Sequence, residues 1–324
     1  MMLKSLMAAV AAAGLLYIGA NPASALSFPD RPITIYVGLT AGGGTDLLAR
    51  AIADDMQGTL GQPVAVEDLP GASGTIAGQR VATAAPDGYS LLVVSASEAV
   101  LPSIRNDLPY DVRTAFAPID VLSESPYLVT VTSSFSARSL QDFIDVARAS
   151  PAIANYGTAG AGSHAFVVTA ELGHRAGIDM QHIPFRGNSE SSVAVASGTV
   201  DLSLITPTTA GPLIAAGKIR PLAITSPARS SSFPDVPTVS EAGLPGFADG
   251  TWYALLTTAG TPYAVVAKLH DAAEKALASP ELASFLKTNG MTKRGGTSAA
   301  AAEFIRSEVE RYAKVIKDAG IKIE

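Results

Sequence analysis

The sequence predicts an α/β fold with two doubly wound α/β lobes around a cleft. Short β-branched and apolar runs alternate with amphipathic runs through much of the chain, which is typical of a mostly parallel sheet covered by helices. The alternation restarts near Tyr127, so the chain contains two such units. Its length of 324 residues is also that of two domains.

The first unit begins with ITIYV at 33–37, a β-branched run bounded by Pro32 and Gly38. Apolar residues then recur at helical spacing. The predicted elements, in order, are a strand at 33–37, a helix at 45–56, a strand at 64–67, a helix at 74–85 and a strand at 89–94. The last strand, YSLLVV, is continuously apolar, which indicates burial on both faces of a parallel sheet.

The second unit repeats this order from Tyr127 to Thr225. Its predicted elements are a strand at 127–133, a helix at 139–150, a strand and turn at 153–160, a helix at 165–177, a strand at 180–185, a helix at 191–198, and strands at 199–206 and 219–225. The rest of the chain is mostly helical, at 264–279, 280–290 and 298–320, and is expected to return to the first lobe. The predicted lobes are therefore 26–126 plus 226–324, and 127–225, a layout that suits closure on a ligand.

The first 25 residues have the features of an export signal. Lys4 supplies the positive start, an apolar stretch follows, and Ala23-Ser24-Ala25 predicts cleavage after Ala25. An uncleaved N-terminal anchor is the alternative. The chain has no cysteine, which excludes disulfides, cysteine metal sites and a lipid-attachment cysteine. Together these features favour a bacterial periplasm as the location.

Three glycine-rich turns follow predicted strands: GLTAGGGT at 38–45, YGTAGAGSH at 156–164 and PFRGNSE at 184–190. Ligands of parallel α/β sheets bind beyond the carboxyl ends of the strands. Because glycines lack side chains, a ligand can approach the free N–H groups that begin the next helix. Such a turn can hold a carboxylate or phosphate without lysine or arginine. A tight turn with no ligand is the alternative, but three turns from both lobes favour one shared cleft.

Several segments also occur in a familiar order, among them FPDRPITIYVGLTAGGGTDLLAR, AAPDGYSLLV, YGTAGAGSH, GTVDL, AAGKIRPLAITS and FPDVPTVSEAGLPGF. Over essentially the whole chain after the export signal, the sequence resembles the periplasmic solute-binding receptors of tripartite tricarboxylate transporters, the Bug-type receptors. The resemblance implies a periplasmic-binding-protein-like fold and an organic carboxylate held by main-chain N–H groups and ordered water. It also implies delivery of that ligand to a membrane permease.

Two of the turns depart from the family's pattern. Where the family has two prolines before its first glycines, this chain has Thr40 and Ala41. Where the family often has a tyrosine-lysine-glycine run, this chain has Phe185, Arg186 and Gly187, followed by an atypical Asn-Ser-Glu. The general binding mode is unaffected, but the ligand's identity stays open.

Individual polar residues have competing interpretations. Asp46 is expected to cap its helix rather than bind a ligand amine. Arg186 either pairs with a ligand carboxylate or lies at the rim, where Glu190 is a possible partner. His164 either donates to the ligand or is a polar surface residue. Trp252, the only tryptophan, is expected in the core rather than in a pocket wall.

Further candidates lie at the predicted strand ends. Ser95 and Ser97 follow the third strand and so lie at the cleft mouth, unless they only cap the loop. Asp201 is expected to make a structural hydrogen bond rather than to bind an ammonium group. Thr206 and Thr208 end a later strand and are weaker candidates.

Signatures of other protein classes fail. The chain has no Gly-x-Ser-x-Gly elbow, GPLIAAGKI departs from the P-loop spacing, and its first turn is not Gly-x-Gly-x-x-Gly. Its four histidines lack zinc spacing, so neither a metal nor a cofactor is expected. A net charge of −6 argues against nucleic acid and anionic membrane surfaces as partners.

The resulting hypothesis is a periplasmic receptor, not an enzyme, that closes two lobes over a small organic carboxylate and delivers it to a tripartite transporter. An exported hydrolase or isomerase acting on a carboxylate is the alternative, and a receptor that signals to a sensor protein is a third. The residues predicted to contact the ligand are Thr40, Ala41, Gly42, Gly43, Gly44, Thr45, Asp46, Ser95, Ser97, Thr158, Ala159, Gly160, Ser163, His164, Phe185, Arg186, Gly187, Asn188 and Thr206.

Overall fold

The computed structural model describes residues 28–149 and 154–321. The predicted export signal at 1–25 and its cleavage site lie outside these residues, as do the end of the helix predicted at 139–150 and the start of the strand predicted from 153. Within the described ranges, none of the helices combines the length and the apolar character that crossing a membrane requires. The described residues form two β-sheets with helices packed on them.

The N-terminal part of the chain builds most of the first sheet. Its elements are β1 (Ile33–Val37), α1 (Gly44–Leu60), β2 (Val64–Asp68), α2 (Thr75–Ala82), β3 (Ser90–Ser95), α3 (Ser97–Ile104) and β4 (Phe116–Pro126). β1 pairs in parallel with both β2 and β3. The turns that follow these three strands therefore emerge at the same edge of the sheet.

The middle of the chain builds the second sheet. Its elements are β5 (Leu128–Thr132), α4 (Leu140–Ala149), β6 (Asn155–Thr158), α5 (His164–Ala176), β7 (Gln181–Pro184), α6 (Asn188–Ser197), β8 (Leu202–Ile205), α7 (Pro207–Ala215) and β9 (Ile219–Ile224). The strand order is β7-β6-β8-β5-β9. β6, β7 and β8 are parallel, and β5 runs antiparallel to β8 and β9.

The chain then returns to the first sheet. The returning elements are β10 (Gly250–Thr258), α8 (Tyr263–Leu277), α9 (Pro280–Thr288), β11 (Thr292–Lys293) and α10 (Ser298–Asp318). They complete a six-stranded sheet in the order β11-β4-β10-β3-β1-β2, in which β10 is antiparallel to β3 and β4. The sequence thus predicted the mixed α/β class of the fold.

Five of these elements were not predicted from the sequence: α3, β4, α7, β10 and β11. β4 reads FAPIDVLSESP, and its prolines and acidic residues interrupt the apolar pattern that marks a central strand. β10 is strongly apolar, with eight of its nine residues buried, but it lies in a region interpreted as mostly helical. Because these two strands pair with each other, the centre of the first sheet is more antiparallel than expected.

The two passages of the chain between the sheets lie side by side. The first joins β4 to β5 at Tyr127, and the second joins β9 to β10 through residues 225–249. The Tyr127 N–H donates to Thr225 Oγ1 at 2.9 Å, and the Thr225 N–H donates back to the Tyr127 carbonyl at 2.9 Å. The Asp249 N–H also donates to the Thr225 carbonyl at 2.9 Å. These bonds tie the crossing segments into one narrow connection.

β1 and β6, which carry two of the glycine-rich turns, are mostly buried, whereas β7, which carries the third, has no buried residue. β3 is buried along nearly its whole length, as its continuous apolar run predicted. Trp252 on β10 is buried, as predicted, although it also lines a cavity of about 850 Å³, and its Nε1–H donates to Glu308 Oε2 at 2.9 Å. Buried strands therefore fix the positions at which the turns after β1 and β6 begin.

Candidate functional site

The turn between β1 and α1 presents main-chain N–H groups that nothing in the described part of the chain satisfies. Gly43 is the N-cap of α1 and makes no side-chain cap hydrogen bond. The first bond within the helix runs from the Leu47 N–H to the Gly43 carbonyl at 3.0 Å, and no described residue accepts from the N–H groups at 44–46. These positions are buried. Buried donors without partners are rare in folded proteins, so a ligand or water must satisfy them.

Glycine is required in this turn for two separate reasons. Gly42 has φ +77°, a left-handed conformation that favours glycine. Gly44 lies so close to Tyr253 of β10 that a Cβ atom added there would be 2.7 Å from the tyrosine hydroxyl. The same atom would be 3.5 Å from Thr206 Oγ1, which belongs to the second sheet's half of the molecule. The glycines therefore allow the turn to lie directly between the two sheets.

Asp46 serves the turn itself. Its Oδ2 accepts the Gly42 N–H at 2.7 Å, and its Oδ1 lies 2.6 Å from Arg50 Nε. Arg50 also pairs with Asp68 at 2.7 Å. Burial, followed by the charge of Asp46, raises the pKa of Asp68. Asp46 therefore binds within the turn, but it does not cap α1 as predicted, because the N–H that it accepts belongs to Gly42, before the helix begins.

The turn between β6 and α5 is built differently because a side chain caps it. Ser163 Oγ accepts the Phe166 N–H at 3.3 Å and donates to the Gly160 carbonyl at 2.7 Å. The His164 N–H donates to Ser97 Oγ on α3 at 3.1 Å. Two of the predicted ligand residues, Ser97 and His164, thus bind each other across the two halves.

The His164 side chain is buried, with 1% of its surface exposed, so the surface alternative for this residue is wrong. Its Nδ1 lies 3.1 Å from the Tyr127 hydroxyl, and its Nε2 lies 3.1 Å from Asp249 Oδ1. Arg311 of α10 pairs with the other oxygen of Asp249 at 3.0 Å. No local pattern in the sequence indicated this cluster, because its members lie far apart along the chain.

The pKa of Asp249 reflects this cluster. Burial by itself raises the pKa of a carboxyl group, but the contacts with His164 and Arg311 more than offset that effect. The pKa of Asp249 therefore lies well below its usual range, and the carboxylate is charged at neutral pH. This charged group anchors the start of α5 to the connection between the sheets.

The turn between β7 and α6 is also uncapped. Gly187 is the N-cap of α6 and makes no side-chain cap hydrogen bond. Arg186 points to solvent, with 85% of its side chain exposed, and pairs with Glu190 at 3.2 Å, as one of its two interpretations had it. No described residue accepts from the N–H groups at 188–190. The α6 turn therefore offers main-chain donors like those of the α1 turn.

The α1 and α6 turns are in direct contact. Ser189 Oγ donates to the Ala41 carbonyl at 3.2 Å, and a Cβ atom added at Gly187 would lie 2.1 Å from Thr40 Oγ1. The two departures from the family's pattern, at 40–41 and at 185–187, thus meet each other. Two uncapped helix starts from different sheets face one another, which is an arrangement suited to an anion.

The remaining predicted residues surround these turns. Thr158 and Thr206 are buried at the ends of β6 and β8, and Ser95 is buried at the end of β3. Thr208 donates to the Asn289 carbonyl at 3.1 Å. Asp201 Oδ2 accepts the Asn155 N–H at 3.2 Å, which fits its expected structural role.

A fourth turn, which follows β2 and reads GASG, was not predicted as part of the site. Ala72 and Ser73 have φ of +47° and +57°, which is uncommon for residues other than glycine and concentrates at functional sites. Ser73 lies against Gly162 of the α5 turn. A cavity of about 350 Å³ opens here between the two halves, lined by Ala72, Ser73, Ile104, Arg105, Asn106, Asp107, Ala161 and Gly162. The two glycines of GASG were the feature of the sequence that could have indicated this turn.

A larger cavity, of about 850 Å³, lies behind the crossing segments. Residues 226–232, the end of α9 and Arg311 contribute to its lining, and none of the predicted ligand residues does. The predicted turns converge elsewhere, so we assign the candidate site to the convergent turns and not to the larger volume.

Comparison with known proteins gives consistent matches. A profile described as "Tripartite tricarboxylate transporter family receptor" matches residues 48–321. Protein BugT of Bordetella pertussis is 32% identical over 94% of this chain and 94% of its own length. A UPF0065 protein encoded in the gbd 5' region of Cupriavidus necator is 35% identical over 97% of this chain and 95% of its own length.

Solved structures match as well. The periplasmic binding protein BugD is 30% identical, with a TM-score of 0.88 over 92% of this chain and 100% of its own. MatC from Rhodopseudomonas palustris with bound malate is 33% identical, with a TM-score of 0.84 over 89% of this chain and 100% of its own. Rpa4515 of R. palustris with adipate is 31% identical, with a TM-score of 0.88 over 92% and 100%.

Proposed function

Because this chain belongs to the tripartite tricarboxylate transporter receptor family, we propose that it binds a small organic carboxylate in the periplasm and delivers it to the membrane subunits of a tripartite transporter. The family consists of substrate-binding proteins rather than enzymes, and this chain has its fold. The proposal adds the ligand class, the residues that bind it and the transporter that receives it.

One observation carries the proposal: the buried N–H groups at the start of α1 have no partner in the described chain. A carboxylate oxygen is an acceptor that fits such donors, and each charge-assisted hydrogen bond contributes roughly 1.5–3 kcal/mol. Three such bonds would supply about 5–9 kcal/mol, close to the ~8 kcal/mol of a micromolar complex. The α6 turn adds donors from the opposite half.

The ligand is proposed to be a dicarboxylate or a similar small acid. The solved relatives named above hold malate and adipate, which each have two carboxylates separated by a short carbon chain. In this chain, one carboxylate would lie between the α1 and α6 turns. The second would lie towards the cavity beside Ser73, which Arg105 lines while paired with Asp107 at 2.8 Å.

The proposal also covers how the chain is exported and how its two halves close. Export would use the signal at 1–25, with cleavage after Ala25. The two halves would be residues 26–126 plus 226–324, and residues 127–225, which close by bending at the two crossing segments beside Thr225. Closure over the ligand would present a surface to the permease that the unliganded receptor lacks.

The test is calorimetry and thermal shift on the purified chain with malate, adipate, other di- and tricarboxylates, amino acids and aromatic acids. We expect a carboxylate to bind with a dissociation constant near the micromolar range and to raise the melting temperature. NMR of the bound ligand after overnight incubation is expected to show no turnover. Turnover, or binding of amino acids alone, would contradict the proposal.

A matched pair of variants tests the closed contact. Gly187→Ala places a methyl group against Thr40, so the halves cannot reach the same contact, and we expect affinity to fall at least tenfold. Gly211→Ala on α7 meets nothing within 4 Å and serves as the control. Adding Thr40→Ala to Gly187→Ala is expected to restore part of the affinity. Unchanged binding by Gly187→Ala would mean that this contact has no role in capture.

A further inference from the structure

Three side chains with metal-binding atoms lie close together between β4, a strand of the first sheet, and α8. They are outside the turns proposed to bind the carboxylate. Asp120 lies on β4, and His270 and Glu274 lie one helical turn apart on α8. One ligand atom from each of the three lies within 4.8 Å of the others. The spacing of His270 and Glu274 puts both on one face of the helix, directed towards the strand.

Asp120 is the unusual member of this cluster. It has no exposed surface, and neither of its carboxylate oxygens has a hydrogen-bond partner among the described residues. A buried carboxylate without a partner is strongly unfavourable. Because Glu274 also has only acceptor oxygens when charged, either a shared proton or a cation must lie between the two side chains.

The main chain of one loop holds the other two ligands in place. The Gly296 N–H donates to Glu274 Oε1 at 3.2 Å, and the Gly296 carbonyl lies 2.6 Å from His270 Nε2. Lys293 reaches Glu274 only at 3.5 Å. Contacts of this kind orient imidazole and carboxylate ligands around metal ions. The three side chains thus provide the metal-binding atoms, and the main chain of Gly296 positions two of them.

We propose that Asp120, His270 and Glu274 bind a divalent transition-metal ion such as Zn²⁺. One imidazole and two carboxylates form a donor set that suits zinc, whereas Mg²⁺ and Ca²⁺ favour oxygen ligands alone. Water completes the coordination. The ion joins the middle of β4 to α8 and so stabilises the first sheet's half of the molecule. This site was not predicted from the sequence, because its one histidine and its glutamate do not match the paired-histidine spacing of zinc sites.

The site differs from the ligand turns in every residue, so its test is independent of carboxylate binding. The untagged full chain is treated with EDTA, dialysed, and titrated with ZnCl₂ in a calorimeter. We expect one zinc ion per chain. At a free zinc concentration 100 times the dissociation constant, we expect the melting temperature to rise by about 5 °C. MgCl₂ at the same concentration is expected to have little effect.

Two variants locate the ion. Asp120→Asn keeps the shape of the side chain and His270→Gln removes the imidazole; each is expected to weaken zinc binding at least tenfold. Glu310→Gln, an exposed position on α10, is the matched control and should bind zinc as the parent does. If Asp120→Asn fails to fold, His270→Gln still decides the matter, since His270 is only half-buried.

Two results would overturn the proposal. The first is an absence of zinc binding, which would mean that Asp120 and Glu274 share a proton. The second is equal zinc binding by the parent and both variants, which would place the ion elsewhere. X-ray absorption at the zinc edge adds a direct readout: nitrogen and oxygen neighbours support the assignment to this cluster, and a fully hydrated ion contradicts it.

Discussion

Two glycine-rich turns that look alike in the sequence are built in opposite ways. The α1 turn has no side-chain cap, and its buried N–H groups have no partner in the described chain. The α5 turn is capped by Ser163, and its first helical residue, His164, is held by Ser97, Tyr127 and Asp249. One turn has donors to offer, and the other uses its polar groups to fix its own position.

This difference indicates that the α1 and α5 turns have separate roles. A binding protein of two halves needs one surface that contacts the ligand and another that fixes the position of one half relative to the other. The α1 turn, with the α6 turn opposite, suits the first task because its donors are free. The α5 turn suits the second because Asp249 connects it to Arg311 of α10, on the other half. Changes at the α5 turn should therefore affect stability, and changes at the α1 turn should affect ligand binding.

The largest effect is expected at Asp249. Asp249→Asn removes the charge that His164 and Arg311 face, and breaking a buried charged cluster typically costs 3–5 kcal/mol. Arg311 keeps Glu308 as a partner at 2.8 Å, so we expect the lower end, about 3 kcal/mol. The measurement is the free energy of unfolding in urea at pH 7. Asp235→Asn, at an exposed position, is the control and should cost less than 0.5 kcal/mol.

The contribution of Asp249 to stability is expected to depend on pH. The pKa of Asp249 is lowered in the folded protein, so its contribution to stability is present above the unfolded pKa of about 3.9 and is lost as the pH falls below it. The difference between the parent and Asp249→Asn should therefore shrink from pH 5 to pH 3. A difference that stays constant over this range would show that the carboxylate's charge is not what stabilises the α5 turn.

The second prediction concerns the α1 turn. Gly44→Ala puts a methyl group 2.7 Å from the Tyr253 hydroxyl, and overpacking of this kind costs about 1–3 kcal/mol. Gly58→Ala, later in the same helix, meets nothing within 4 Å and should stabilise by about 0.4–1 kcal/mol. We expect carboxylate affinity to fall at least tenfold in Gly44→Ala and to stay unchanged in Gly58→Ala. Equal affinities in calorimetry would mean that the α1 turn does not contact the ligand.

The sequence was informative where a local pattern determines the structure. The strand–glycine–helix junctions at 38–45 and 156–164 were recognisable because apolar periodicity changes from strand to helix there. The burial of His164 was not, since its partners Tyr127 and Asp249 come from distant segments that only the fold brings together. β10 and α3 were missed for a related reason: both lie in stretches where neighbouring signals favoured another interpretation or none.

The difference between capped and uncapped turns was partly readable. Ser163 stands immediately before a helical run, which is the usual position of an N-cap, whereas Gly43 offers no side chain there. What the sequence could not show is that the uncapped α1 turn faces the uncapped α6 turn. That contact joins Thr40 and Gly187 from different sheets, and no local pattern encodes it.

The third prediction removes the cap of α5. Ser163→Ala deletes the acceptor for the Phe166 N–H and is expected to cost about 1 kcal/mol of unfolding free energy. Because this turn is structural in our interpretation, affinity for the carboxylate should change less than threefold. Urea unfolding and calorimetry on the same preparation separate the two effects. A tenfold loss of affinity without a loss of stability would reverse the roles assigned to the α1 and α5 turns.

The last variant, Gly43→Ser, gives the α1 turn the kind of side-chain cap that α5 has. It is expected to have the smallest effect on stability, and it tests the difference between the two turns most directly. Gly43 has φ −80° and ψ 164°, which a serine N-cap adopts without strain, and its added Cβ would meet nothing closer than 3.4 Å. Gly43→Ser should therefore stabilise by only a few tenths of a kcal/mol. Its hydroxyl would accept an N–H at 45 or 46 that otherwise serves the ligand, so affinity should fall about tenfold, the equivalent of one charge-assisted bond. Gly43→Ala adds the same Cβ without an acceptor and should bind as the parent does. If the two variants bind equally well, the free amides of α1 are not what holds the carboxylate.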